Sequence, residues 1–291
     1  MKRARLVVPI EYGSQKKTLD VKDLFEDGLI PEWWQSTTAS ESAGSLKRSG
    51  RHLRQLMALM ERPFFSVSKR SRSSAEYTSP DGSIDIRIEA GPTGMATIFD
   101  ADLLMFLVDH IAGAGLSTAS SHVLKPANYF AAVGSKCGGG QYQLLGDAIE
   151  RLRTTRITTN AQPDGKPGSI RTFCWFEDVA RQSGAWHLTL PDWLIEGARS
   201  KFILSICPEY FGLGGFERFL YLTARKHVGS SAYKTFPIGI ATLWKKSGSS
   251  GTLPRFRHQI RSLVKKNALP EYALQWNDRI SGDSQVIFSL K

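Results

Sequence analysis

The residues with the clearest chemical potential are cations that share one face of a predicted helix over residues 253–268. Apolar residues recur in this segment at spacings of three and four, which places them on one side: Phe256, Ile260, Leu263 and Val264. The other side and its shoulders are basic and contain no acid: Arg255, Arg257, His258, Arg261, Ser262, Lys265 and Lys266. Arginine can donate two hydrogen bonds to a guanine edge and lysine pairs with phosphate, so this face has the chemistry of a nucleic-acid contact.

The elements around this segment are those that would position such a helix. Pro254 suits a first helical turn, and Thr252 or Ser250 is available as the N-cap residue. Upstream, residues 240–246 predict a short helix, joined to the basic one by the small-residue turn 247–251. This order is typical of a helix-turn-helix, whose second helix enters the DNA major groove. A basic helix that is simply solvated is the alternative that these residues leave open.

The charge of the chain is concentrated in the same region. The 291 residues carry a formal net charge of +11 with a pI near 9.6, which favours a polyanionic partner. Residues 201–291 contain 14 Lys and Arg but 5 Asp and Glu, whereas the first 200 residues contain 24 and 22. Four further cations extend the predicted basic surface, although the lysines also fit plain solubility: Arg225, Lys226, Lys245 and Lys246.

A second stretch repeats the same order of elements. The first set of predicted elements is a short helix at 127–134, a Gly-rich turn, a long helix at 141–155 and a hairpin at 156–161 and 170–176. The second set consists of helices at 215–228, 240–246 and 253–268 and strands at 272–276 and 285–290. A shift of 111 residues superposes the apolar positions of the two long helices: Tyr142, Leu145, Ile149 and Leu152 on Leu253, Phe256, Ile260 and Leu263. The pattern predicts an α+β fold made of two tandem winged-helix domains.

The predicted domains are a partly flexible N-terminal arm and linker at 1–58, a first winged-helix domain at 59–200 and a second, the main DNA reader, at 201–291. Residues 21–34 predict a docking segment, 35–50 a flexible linker and 51–62 a helix. Strands are predicted at 64–68, 83–89, 96–99 and 186–190, and a helix at 101–113 capped by Asp100.

The first long helix differs from the second on its outward face. That face carries Asp147 and Glu150, and two carboxylates there would repel phosphate. We therefore expect a supporting role in DNA binding, with protein contact as a second role. The supporting contacts would come from the helix, its flanks and the hairpin tip: Gln143, Arg151, Arg153, Arg156 and Lys166.

Catalytic, metal and cofactor chemistry is not predicted. The Gly-rich segment 134–140 lacks the Gly-Lys-Ser/Thr that completes a phosphate loop, and the six histidines form no His-x-His or His-Glu-x-x-His pair. Three widely spaced cysteines fit a reduced, cytoplasmic protein without structural zinc or a disulfide framework. No apolar run approaches the length of a membrane span, so we expect a soluble protein.

Several long motifs resemble one known family. They are RPFFSVSK at 62–69, ATIFDAD at 96–102, YQLLGDAIERLRTTRITTN at 142–160, FERFLYLTARKH at 216–227 and LWKKSGSSGTLPRFRHQIRSLVKKNALPEY at 243–272. These resemble the plasmid replication initiator protein A family, distantly related to iteron-binding initiators with two winged-helix domains. Residues before about 60 match nothing in that pattern.

The resemblance implies a protein that binds direct repeats of double-stranded DNA at a plasmid origin. It further implies opening of an adjacent AT-rich duplex, recruitment of the host initiator and helicase machinery, repression of its own gene, and a homodimer, which we expect to form through the first domain. Two alternatives stay open: a transcriptional repressor without a replication role, and a strand-cutting replication enzyme.

Overall fold

The structure is a computed structural model. It describes the backbone of residues 7–12 and 15–20, and the backbone and side chains of residues 50–68, 74–113, 120–231, 234–278 and 282–291. The chain divides into two compact units, Met1–Lys47 and Arg48–Lys291. In the first, strands β1 (Val7–Tyr12) and β2 (Gln15–Asp20) form an antiparallel hairpin. The predicted docking segment 21–34 and nearly all of the predicted linker 35–50 lie outside the described residues.

The larger unit alternates short strands with helices. Its strands are β3 (Leu53–Leu56), β4 (Ser74–Thr78), β5 (Asp85–Glu89), β6 (Ser121–Leu124), β7 (Arg156–Ala161), β8 (Pro167–Cys174), β9 (Asp178–Gln182), β10 (Ala185–Thr189), β11 (Ile203–Ile206), β12 (Phe236–Gly239), β13 (Tyr272–Asn277) and β14 (Gln285–Leu290). Its helices are α1 (Ala101–Gly113), α2 (Pro126–Ala132), α3 (Gly139–Thr154), α4 (Asp192–Arg199), α5 (Gly215–His227), α6 (Ile240–Ser247) and α7 (Leu253–Lys266). The α+β class is therefore confirmed.

Two stretches share the order helix, strand, helix, helix, hairpin. We call residues 101–174 (α1, β6, α2, α3, β7, β8) the first helical unit and residues 215–290 (α5, β12, α6, α7, β13, β14) the second helical unit. In the second, β12 pairs with β14 and closes a three-stranded sheet β12-β14-β13. In the first, β6 pairs with β10, and the β7–β8 hairpin joins β5 and β4 instead. The repeated order of helices therefore comes with different sheets.

Local predictions succeed where periodicity is long. All predicted helices except one are present within a few residues of their expected bounds. The helix predicted at 51–62 is wrong, because this segment contains β3 and a 3-10 turn at Met57–Leu59. Its apolar spacing looks helical, but Leu53 and Leu56 are buried in a strand that pairs with β11. The strands predicted at 64–68 and 96–99 reduce to a single bridge between Ser66 and Thr97.

Asp100 does not cap α1 as predicted. Its carboxylate accepts hydrogen bonds from the backbone N–H and hydroxyl of Thr97 and from the guanidinium of Arg151. Asp100 thereby ties α3 to the start of α1. Helix α1 is almost wholly buried, with Leu103, Leu104 and Val108 inaccessible to solvent.

Buried charges connect the second helical unit to the part of the chain that precedes it. Arg218 of α5 is 2.5 Å from Asp102 of α1, and both are buried. Glu61, which precedes the first helical unit, lies within 2.6–2.9 Å of Lys226, His227 and Lys246 from α5 and α6. Buried ion pairs need such complete partnering because an unpaired buried charge is costly. These contacts hold α5 and α6 against the preceding half of the chain.

Candidate nucleic-acid interface

Helix α7 is held by its apolar face and by its C-terminal end. Phe256, Ile260 and Val264 are buried, as the spacing predicted. Thr252 occupies the N-cap position, but neither its hydroxyl nor that of Ser250 makes a capping hydrogen bond. At the other end Asn267 takes a left-handed conformation (φ 45°), and its side-chain carbonyl accepts the backbone N–H of Leu274 at 2.8 Å. The helix is thereby joined directly to β13.

The centre of the outward face of α7 is unpaired. Four exposed residues follow one another along this line, which we call the central stripe: Arg255, His258, Ser262 and Lys265. Their side chains make no ion pair or hydrogen bond with any residue that the structure describes. Cations left unpaired on a rigid helix are available to phosphates and base edges without first breaking internal contacts.

The flanks of α7 are instead paired to acids from neighbouring elements. Toward the β13–β14 loop, Arg257 is 3.1 Å from Asp283 and Arg261 is 3.2 Å from Asp278. Toward α5, Lys266 is 3.1 Å from Glu217. The Glu217 carboxylate also accepts the backbone N–H of Gly214 at the start of α5; this bond, with the charge of Lys266, lowers the pKa of Glu217. Three carboxylates thus bracket the central stripe.

The other predicted cations of the second helical unit fall into two groups. Lys245 is exposed and unpaired within the described residues, next to the turn before α7. Arg225, Lys226 and Lys246 are paired within the protein instead. Arg225 donates to the carbonyl of Ser205 at 2.7 Å, and Lys226 and Lys246 donate to Glu61 at 2.6 and 2.9 Å. Because these cations have partners inside the protein, they do not belong to the exposed basic surface.

The charged side chains of helix α3 have partners on the same helix or in the protein interior. Gln143 donates to Asp147 at 2.9 Å, and Arg153 makes two hydrogen bonds to Glu150 at 2.8 and 3.0 Å. Arg151 turns toward the protein and makes two hydrogen bonds to the buried Asp100 at 2.8 and 2.7 Å, which raise its pKa.

Two predicted cations near α3 remain exposed. Arg156 lies at the start of β7 without an ion pair among the described residues. Lys166 is 78% exposed at the hairpin tip, with its ammonium 3.9 Å from Asp164. On the outward face of α3, Glu150 is paired with Arg153, whereas Asp147 is hydrogen-bonded to the neutral Gln143. These two exposed cations lie beside the helix.

Sequence reasoning missed the acids that organise these surfaces. Glu61 lies in a segment that the sequence suggested was helical, and 165 positions separate it from Lys226. Asp278 and Asp283 lie in the loop after β13, where an acid looks like an ordinary solvated turn residue. The one feature of the sequence that could have drawn attention to them is that residues 201–291 contain just five acids. A cluster of three His, Cys, Asp or Glu with metal-binding geometry is absent from the part of the chain that the structure describes.

None of the helices among the described residues is long and apolar enough to cross a bilayer.

Comparisons with known proteins show one family and two solved structures of similar fold. Residues 54–274 match the model of replication initiator protein A. A putative replication protein of Wigglesworthia glossinidia brevipalpis is 29% identical over 232 residues, which cover 75% of this chain and 82% of that protein. Two crystal structures of RctB domains 2 and 3 share the fold at 13% identity. Their TM-scores are 0.52 and 0.58; each covers 81% of this chain, which in turn covers 96% and 98% of those chains. Because the family model spans most of its length, the chain belongs to the replication initiator protein A family and is a replication initiator.

Proposed function

We propose that this initiator binds repeated double-stranded sites at a plasmid origin through the central stripe of α7. The observation that carries the proposal is the arrangement of charge on this helix. Its outward centre is cationic, exposed and free of acids, while its flanks are fixed by Asp278, Asp283 and Glu217. A helix with a free basic centre and braced edges suits insertion into a major groove.

The proposed architecture is a pair of winged-helix domains over residues 59–200 and 201–291, with 1–58 as an arm. The second domain has the order of elements and the sheet β12-β14-β13 that support this assignment. In it α7 would read the groove and the β13–β14 hairpin would form the wing. The first domain would support binding through Arg156 and Lys166 beside the DNA backbone, and would offer α3 for protein contacts.

Family membership supports a proposal for the remaining steps of initiation. We propose that bound protein helps open an AT-rich region, recruits the host initiator and replicative helicase, and represses its own gene. A homodimer through the first domain belongs to the same proposal. No catalytic step or cofactor is assigned to the chain, because each of these roles requires binding and assembly alone.

The direct test is selection of bound sequences from a random duplex pool at near-physiological salt. We expect one motif to be enriched and to recur as direct repeats in the DNA beside the gene. Binding without enrichment, with a steep decline as salt rises, would reduce α7 to a phosphate-binding surface and contradict the proposal.

A second experiment separates initiation from repression. A plasmid that carries only this gene and the adjacent repeats should replicate in a suitable host. Repression of a reporter by the same fragment without plasmid maintenance would instead support a repressor, and specific nicking of supercoiled origin DNA would indicate a strand-cutting enzyme.

A further inference from the structure

The loop after β13 contains a carboxylate with an unusually defined orientation. One oxygen of Asp278 accepts a hydrogen bond from the indole Nε1–H of Trp276 at 2.7 Å and another from the hydroxyl of Ser284 at 3.0 Å. These two bonds lower the pKa of Asp278, so the group is ionised at neutral pH. Both donors are anchored, because Trp276 pairs with Val286 in the β13–β14 ladder and the Ser284 carbonyl accepts the backbone N–H of Ile240. The second carboxylate oxygen is directed at α7.

Arg261 donates a hydrogen bond to that second oxygen and also contacts an aromatic ring. Its Nη2 lies 3.2 Å from Asp278 Oδ2, and its guanidinium carbon lies 5.3 Å from the centre of the Trp276 ring. The side chain is 53% exposed. A guanidinium has five N–H donors, and this contact uses one nitrogen. The remaining donors stay available at the edge of the central stripe.

Holding an arginine in this way changes what it can read. A free arginine loses much side-chain entropy when it binds, whereas one fixed by an ion pair and an aromatic ring has lost part of it already. A fixed guanidinium fork also matches the O6 and N7 acceptors of guanine better than it matches other base edges. The expected benefit is therefore discrimination between bases, while phosphate attraction is reduced by the nearby negative charge.

We propose that Asp278 and Trp276 are positioning residues that fix Arg261 for two-point recognition of a guanine at one position of the DNA site. The inference rests on the proposed function, since it requires α7 to read a duplex. It assigns sequence specificity to the β13–β14 loop, whose residues need not touch a base.

Asp283 provides a matched control in the same loop. It also pairs with a helix arginine, Arg257, but no aromatic ring among the described residues supports that guanidinium. Its other oxygen accepts the backbone N–H of Ala241 at 2.6 Å, which caps the start of α6. Asp278→Asn and Asp283→Asn therefore each remove one negative charge, and in each the side-chain carbonyl can still accept the structural hydrogen bond.

The experiment measures relative affinity for the selected site and for all single-base variants of it. Wild type, Asp278→Asn, Asp283→Asn and Arg261→Ala are compared at one salt concentration, with thermal unfolding to verify that each is folded. In wild type, one guanine should be preferred over the other bases by roughly 5- to 100-fold. In Asp278→Asn the preference for this guanine should fall to about threefold or less. The double variant Asp278→Asn, Arg261→Ala should show no further loss of preference at the same base position. Asp283→Asn should leave the preference intact.

The alternative predicts a different pattern. If Asp278 only repels phosphate, Asp278→Asn should strengthen binding to every sequence alike and leave all base preferences unchanged, and this result would overturn the inference. The inference would also be overturned if Arg261→Ala weakened binding to the cognate and random duplexes equally. Failure of the proposed function is distinguishable, since wild type would then select no motif at all. Trp276→Phe, which keeps a ring but removes the indole donor, should reduce the same preference.

Discussion

Helices α3 and α7 occupy the same place in two stretches of similar order, yet the protein treats their charges in opposite ways. On α3, Arg153 pairs with Glu150 of the same helix and Arg151 turns back to Asp100. On α7 the helix itself contains no acid, and the balancing carboxylates come from outside, at its edges. Under our proposal the location of the acids, rather than a helix's place in the repeated order of elements, decides which helix approaches DNA.

The two halves of the larger unit contribute opposite charges to the buried ion pairs between them. The first half of the chain provides Glu61 and Asp102, and the second provides the cations that bind them. Burial raises the cost of each of these charges, so the pairs must be complete in the folded state. The first half thus acts as a brace that fixes α5 and α6.

The largest expected effect comes from removal of the buried brace. Burial alone would raise the pKa of Glu61, but the hydrogen bond from His227 and the charges of Lys226 and Lys246 lower it well below its usual value. Glu61→Gln should reduce the free energy of unfolding at pH 7 by about 3–5 kcal/mol, as for other broken buried pairs. Urea unfolding measures the loss, and Glu76→Gln, which breaks an exposed pair with Arg87, should cost under about 1 kcal/mol.

The same brace predicts a pH dependence. A carboxylate whose pKa is lowered on folding contributes stability above its unfolded pKa of about 4.3, and that contribution is lost as the pH falls below it. The difference in stability between wild type and Glu61→Gln should therefore be constant from about pH 7 to pH 5 and shrink toward pH 3. A difference that stayed the same at pH 3 would contradict an ionised, paired Glu61.

Adjacent lysines on α6 give a smaller and more selective comparison. Lys246 is 2.9 Å from Glu61, whereas its neighbour Lys245 is exposed and unpaired within the described residues. Lys246→Ala should lower the free energy of unfolding by about 1–3 kcal/mol, because a hydrogen bond to a charged group is lost. Lys245→Ala should leave unfolding unchanged and reduce the slope of log affinity against log salt by about one. The reverse assignment of these two effects would show that α6 presents a different face to DNA.

The smallest effect is expected on α3. If α3 stays outside the groove, the double variant Asp147→Asn, Glu150→Gln should raise affinity for random duplex by less than about threefold, because salt screens charges that lie more than about 10 Å from phosphate. The measurement is a titration at two salt concentrations. An increase of tenfold or more, with a changed selected motif, would place α3 against the DNA and remove the distinction between the two helices.

Much of this organisation could be predicted from the sequence, and the limits have physical causes. Helix α7 and its buried face were predicted because a long amphipathic pattern with Pro254 at its start determines both locally. The helix predicted at 51–62 was wrong because four residues of β3 take their structure from a partner strand about 150 positions away. Short, half-exposed strands such as β6 and β12 show no alternation and were not predicted.

The surface was harder to predict than the fold for a related reason. The central stripe follows from helical geometry alone, so Arg255, His258 and Lys265 were correctly placed on the exposed side. Whether a cation is free depends on the acid that meets it in three dimensions. Lys226 and Lys245 look alike in sequence, and only the fold brings Glu61 to one of them.

The most direct test of the account is a comparison of two triple variants that remove similar charge from the two helices. One carries Arg255→Ala, His258→Ala and Lys265→Ala on α7; the other carries Gln143→Ala, Arg153→Ala and Arg156→Ala in and beside α3. Affinity for the selected site is measured for both, with unfolding as the control. The account predicts a loss of about 100-fold or more for the α7 variant and less than about fivefold for the α3 variant. An equal or greater loss for the α3 variant would contradict the assignment of DNA reading to α7.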